Sequence, residues 1–182
     1  MSKPYYQFDK LSILVVEDNL FMLRLMTSIL RAFRVGRVLT ARDGEEGKGV
    51  ITLTQASFDA ANRIDLVITD WTMPHLSGPE LLSWIRGHDD EQVKYTPIIV
   101  MNAYTDAKAV ESARDLGANE FLAKPMSING IVARLMSVID KPRPFIVAPN
   151  FVGPDRRRHK QLPPRYERRV AKPSDVEVSH EQ

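Results

Sequence analysis

The sequence predicts an α/β protein, a doubly wound sheet of five parallel strands with helices on both faces. Two observations carry this. Five short apolar runs alternate strictly with five amphipathic or helix-favouring stretches over residues 10–140. The runs are rich in Val, Ile and Leu without alternating polar residues, as parallel strands covered on both faces require. Strict βα alternation implies right-handed crossovers and an open, doubly wound sheet.

In chain order, the strand candidates are LSILVV (11–16), RVLTA (37–41), DLVIT (65–69), PIIVM (97–101) and EFLA (120–123). Helix candidates lie between and after them at 20–33, 44–57, 78–87, 106–116 and 127–139. Asp43 with Glu46 three positions on is an N-terminal capping signature for the second helix. Gly117 is a stop signal after the fourth. The last helix repeats Ile128, Ile131, Val132, Leu135, Val138 and Ile139 at helical period. The first, LFMLRLMTSILRAF, is apolar over more than one face. Core packing accounts for Leu25, Ile29 and Ala32 or their neighbours. The surplus at Phe21, Met22 and Leu23 suggests a docking or dimer surface. The stretch 50–64 is read as a longer second helix or loop.

Composition narrows the function classes. No apolar run is long enough to cross a bilayer, and MSKPYYQFDK lacks a signal-peptide core. There is no Cys, which fits the cytoplasm, and the four His (75, 88, 159 and 180) show no ligand spacing. Both features argue against a transition-metal site. The net charge of +2 hides a break near Lys141. Residues 141–182 hold ten Lys/Arg and five Asp/Glu, leaving 15 and 18 of the totals of 25 and 23 to residues 1–140. A slightly acidic globular domain (1–140) therefore precedes a basic, Pro-rich extension (141–182), expected to be extended or disordered.

In open α/β sheets ligands gather at the carboxyl ends of the strands, near the reversal of strand order. The first strand ends there in Glu17-Asp18-Asn19, the third in Asp70, the fourth in Asn102-Ala103-Tyr104 and the fifth in Lys124-Pro125. Singly, each has an ordinary reading as a helix cap, a turn residue or a surface charge. Together, three clustered acids repel unless a cation or bound group offsets them. Mg²⁺ prefers carboxylate and carbonyl oxygens, waters and a phosphoryl oxygen. A lysine adds a point charge for that phosphoryl group. Asp70 is then placed to attack phosphorus as a nucleophile.

LVVEDN, the strand-ending Asp of DLVITDWTMPHLSG, PIIVMNA and GANEFLAKP resemble, in this order, the receiver domain of two-component response regulators. The resemblance covers residues 10–140 and implies a flavodoxin-like (βα)5 fold. It implies that Asp70 is the phosphoacceptor. Glu17, Asp18, Asp70 and the backbone carbonyl of Thr72 would bind Mg²⁺, and Lys124 and Asn102 would contact the phosphoryl group. The Lys124–Pro125 bond is often cis in the family. The phosphoryl donor would be a histidine kinase or a histidine phosphotransfer protein, and the first helix would border the docking face. The target downstream stays unnamed.

The resemblance departs at Asn102, where receivers usually carry Thr or Ser. That hydroxyl hydrogen-bonds the phosphoryl group and couples phosphorylation to a conformational shift. An Asn amide donates a hydrogen bond but is larger and has no O–H. Chemistry at Asp70 is expected to persist, with altered coupling. Phe121 occupies the aromatic switch position, read either as a burial switch or as core packing. Thr72 and Tyr104 occupy positions that tune access to the phosphoryl group.

The extension is too short for an appended DNA-binding output domain. PFIVAPNFV can lie against the domain or a partner, and GPDRRRHK with PRYERR makes a basic tract. The leading expectation is a cytoplasmic, phosphorylation-controlled module acting through protein–protein contacts, at most slowly self-phosphorylating and self-dephosphorylating rather than an enzyme. Two other readings rank below it. One is a nucleic-acid-binding regulator using the basic tract. The other is a scaffold whose switch Asn102 disables.

Overall fold

The computed structural model describes residues 8–56, 62–103, 107–156 and, for the backbone alone, 177–179. Five strands build the central sheet: β1 (Ser12–Val16), β2 (Arg37–Ala41), β3 (Leu66–Asp70), β4 (Ile98–Asn102) and β5 (Glu120–Ala123). They lie in the order β2-β1-β3-β4-β5, every pair parallel. Five helices follow them: α1 (Leu20–Ala32), α2 (Gly44–Gln55), α3 (Gly78–Arg86), α5 (Ala107–Asp115) and α6 (Ile128–Asp140), with a one-turn α4 (Glu91–Lys94) after α3.

Successive side chains of a strand face opposite sides of the sheet, so each apolar run feeds two cores. Ile13 and Val15, with Leu66, Ile68, Ile99 and Met101, pack beneath Leu23, Met26 and Leu30 of α1 and Ile131 and Leu135 of α6. Leu14, Val16, Val67, Ile98 and Val100 pack on the other face against Ile51, Leu81, Leu82 and Ile85 of α2 and α3. A run such as SILVV is therefore apolar on both faces from Ile13 onward, and all five residues, Ser12 included, are buried.

Helix ends follow local chemistry. Asn19 caps α1, accepting from the N–H of Phe21 at 3.0 Å and of Met22 at 3.2 Å. Asp43 accepts from the Glu46 N–H at 2.9 Å, and Glu46 reaches back to the Arg42 N–H at 2.7 Å. Gly117 ends α5 with φ +92°, a conformation that only glycine adopts without strain.

Three features differ from the sequence expectations. The buried stripe of α1 is Leu23, Met26 and Leu30; Leu25 and Ala32 are exposed, and only Ile29 of the expected set packs against the core. Asp70 lies inside β3 rather than just past it. The turn α4 between α3 and β4 was not anticipated; its Val93 is buried.

Beyond α6, β6 (Phe145–Ala148) and β7 (Phe151–Pro154) form an antiparallel hairpin about Pro149-Asn150. The backbone of β8 (Glu177–Ser179) pairs with the other edge of β6. Residues 57–61, within the long 50–64 stretch, and 157–176, which hold most of the basic tract, lie outside the described residues. Among the described residues no helix is long and apolar enough to cross a membrane.

Candidate phosphoacceptor site

Strand order reverses between β1 and β3, and the crevice there opens at their carboxyl ends. β1 runs into Glu17 and Asp18, and β3 ends on Asp70. Carboxylate oxygens of the three lie within 4.8 Å of one another. Glu17 (1% exposed) and Asp70 (7%) are buried, whereas Asp18 faces solvent.

Lys124, the residue after β5, reaches across β4 to this cluster. Its Nζ donates to Glu17 Oε2 at 2.7 Å and lies 3.0 Å from Asp70 Oδ1. The Lys124–Pro125 peptide is cis, and the Lys124 N–H donates to the Asn102 carbonyl at 2.8 Å.

Backbone groups fix Asp70. The Trp71 N–H donates to its Oδ1 at 2.9 Å and to the Met101 carbonyl at 2.8 Å. The turn after β3 folds back so that the Gly78 N–H donates to the Trp71 carbonyl at 3.1 Å. A Cβ on Gly78 would stand 2.1 Å from the Asp70 carbonyl oxygen, so the close return of the chain requires glycine there.

The electrostatics are those of a crowded acidic site. Burial raises the Asp70 carboxyl above its ordinary value, opposed by Lys124 and the Trp71 N–H. Burial likewise raises Glu17, and the neighbouring Asp70 adds to the effect against Lys124. Burial alone would lower the Lys124 ammonium, but its hydrogen bonds to Glu17 and Asp70 and their charges raise it. Three carboxylates face one ammonium. A surplus of negative charge on oxygen donors suits a hard divalent cation.

The other expected residues are distributed as follows. Asn102 is buried at the tip of β4, one strand over from Asp70. Thr72 is exposed on the turn two residues after Asp70. Phe121 is half-buried in β5 against the α3-side core, its carbonyl accepting from Arg134 Nε at 3.0 Å. Tyr104 lies outside the described residues. Sequence reasoning missed the Trp71 N–H, a backbone donor without a side-chain signature, and the role of Gly78, for which SG-P at a helix start was the available signal.

Fold and site together define a phosphorylation-controlled signalling module. The family model "Response regulator receiver domain" matches residues 13–136, and the chain belongs to that family. It is 28% identical to Chemotaxis protein CheY-3 of Vibrio cholerae, covering 72% of this chain and 93% of that one. It is 33% identical to Hybrid signal transduction histidine kinase D of Dictyostelium discoideum, covering 75% of this chain but 8% of that much longer protein. Among solved structures, a chain of the CheX-CheY-BeF3-Mg²⁺ complex from Borrelia burgdorferi superposes with a TM-score of 0.60 at 30% identity, over 70% of this chain and 88% of that one. These likenesses favour phosphorylation-controlled signalling over nucleic-acid binding or a disabled scaffold.

Proposed function

We propose that Asp70 accepts a phosphoryl group from the phosphohistidine of a histidine kinase or phosphotransfer protein. A carboxylate oxygen of Asp70 bonds to phosphorus, the P–N bond breaks, and the imidazole leaves and takes up a proton. The observation that carries this reading is the placement of the Asp70 carboxylate. It stands at the strand-order reversal, held by the Trp71 N–H and beside the Lys124 ammonium.

Lys124 supplies a fixed positive charge to the incoming phosphoryl oxygens. The Asn102 amide, at the next strand tip, supplies a hydrogen bond in place of a hydroxyl. Glu17, Asp18, Asp70 and the Thr72 carbonyl hold Mg²⁺, which when bound offsets phosphoryl charge. Glu17 also anchors Lys124. Glu17 and Asp18, the carboxylates beside Asp70, are engaged by Lys124 and the metal rather than free to drive release of the group, so the chain acts as a regulator rather than an enzyme. Phe121 and Tyr104 remain the proposed switch and tuning positions.

Output runs through a protein partner, in the cytoplasm. The docking face for the donor is the apolar rim beside the site. Leu20 (47% exposed) and Phe21 (73%) start α1, and Ile128 (57%) starts α6 on the same side of the sheet.

Incubation with acetyl phosphate and Mg²⁺ is expected to add the mass of one phosphoryl group to the intact protein, and EDTA to prevent it. Absence of the adduct at saturating donor would contradict the reading. Asp18→Asn should weaken Mg²⁺ binding by at least ~10-fold, followed by Trp71 fluorescence, because it removes one ligand charge. Since Asp18 is exposed, thermal stability without Mg²⁺ should hardly change. Equal Mg²⁺ affinity in the two proteins would remove Asp18 from the ligand set.

A further inference from the structure

The hairpin of β6 and β7 sits on the edge of the sheet opposite Asp70, where β4 and β5 begin. Phe145 is buried there, its ring centre 5.0 Å from the Arg86 guanidinium and 5.2 Å from the Tyr95 ring. Gly153 meets Gly117: a Cβ on Gly153 would come 2.6 Å from the Gly117 Cα, and one on Gly117 2.4 Å from the Val152 carbonyl oxygen. Arg143 donates to the carbonyls of Asn119 and Asp155. Arg156 pairs with Asp115 at 2.9 Å and lies 4.1 Å over the Phe151 ring.

This contact is built to be balanced rather than permanent. Burying Phe145 favours docking. Against it, docking keeps the Arg86 guanidinium dry, and its hydrogen-bond partners are neutral: the carbonyls of Gly117, Lys94 and Thr96 and the Asn119 side-chain oxygen. The ion pair to Asp115 is half exposed, hence weak.

The surface that the hairpin covers is joined to the Asp70 site by rigid elements. α5 starts five residues after Asn102 and ends at Asp115, which Arg156 holds. β5 starts next to Asn119, which Arg143 holds, and ends next to Lys124. β5 thus has one end at the charged site and the other on the hairpin, and α5 carries the hairpin's ion-pair partner at its end.

We propose that this base, formed by Arg86, Tyr95, Asp115, Gly117 and Asn119, is a docking surface. Its occupant is the chain's own segment 143–156, and the hairpin's docking is energetically coupled to occupancy of Asp70. The coupling rests on the reading of Asp70 as the phosphoacceptor.

The test uses the full chain with Mg²⁺ and beryllium fluoride, a mimic of the acyl phosphate. Amide hydrogen exchange across 145–154 should change by at least ~5-fold on binding, beyond any change in the amides of α1. Linkage requires the reverse effect: Gly153→Val, which closes off the Gly117 contact, and the milder Phe145→Ala should shift beryllium fluoride affinity in one direction, the former by a comparable factor. Binding with unchanged exchange at 145–154 and unchanged affinity in both variants overturns the coupling and leaves Asp70 as acceptor. No binding at all overturns both.

Discussion

Asp70→Asn is expected to take up no phosphoryl group from acetyl phosphate or a phosphohistidine donor, with intact-mass analysis showing the unmodified chain alone. The amide oxygen of Asn is a poor nucleophile, and no other described carboxylate combines the Trp71 N–H and Lys124 contacts of Asp70. The same substitution should stabilise the metal-free protein at neutral pH by about 1 kcal/mol, because it removes a buried charge from a crowded acidic cluster. The pH dependence fixes the sign. Burial raises the Asp70 carboxyl above its ordinary 3.8, so the native state binds that proton more tightly than the unfolded chain. Through this group the wild type loses stability as pH rises from 3.8 through the raised value, a contribution that the Asn variant lacks while the one from Glu17 stays in both. The melting-temperature advantage of Asp70→Asn should vanish in acid and grow towards neutrality. An advantage that is largest in acid would contradict the assignment of strain to this carboxylate.

Arg86→Met should be a costly change away from the site, at roughly 3 kcal/mol in urea denaturation. The side chain is 5% exposed and burial brings its guanidinium down to about 9, while surrounding oxygens keep it charged at neutral pH. Its Nε and Nη1 donate to the carbonyls of Gly117, Lys94 and Thr96 at 3.0, 2.6 and 2.8 Å. Met fills similar space but donates nothing, so three carbonyls lose these donors at about 1 kcal/mol each. The Asn119 oxygen is affected less, since it still accepts from the Ile98 N–H at 3.0 Å. A variant as stable as the wild type would show that water or rearranged donors replace the guanidinium.

The sheet and its charged edge were legible because both depend on local patterns. Buried parallel strands must be apolar along most of their length, and the residues closing them must stand at the carboxyl edge. That reasoning brings Glu17, Asp18, Asp70 and Lys124 together from three distant segments, and the structure holds them within contact range. The phase of α1 was not legible for the same reason that made its helicity plain. Leu25, Ile29 and Ala32 and Leu23, Met26 and Leu30 are both valid helical stripes, and only the sheet beneath selects between them. Arg86 follows Leu81, Leu82 and Ile85 on the buried side of α3. A cation there is explained only by carbonyls contributed from residues 94, 96 and 117, which no local pattern reveals. The hairpin is similar: FIVA and FV around Pro149-Asn150 hint at a turn, but its seat depends on Gly117 and Tyr95, far away in the chain.

The central claim is that the strand-tip carboxylate of Asp70 forms the acyl phosphate. Borohydride reduces an aspartyl phosphate to homoserine, marking the acceptor permanently. After treatment with acetyl phosphate and Mg²⁺, reduction and proteolysis, peptide sequencing by mass spectrometry should find homoserine at position 70 and nowhere else. Homoserine at another Asp, or a phosphoryl adduct that borohydride leaves unchanged, would contradict it.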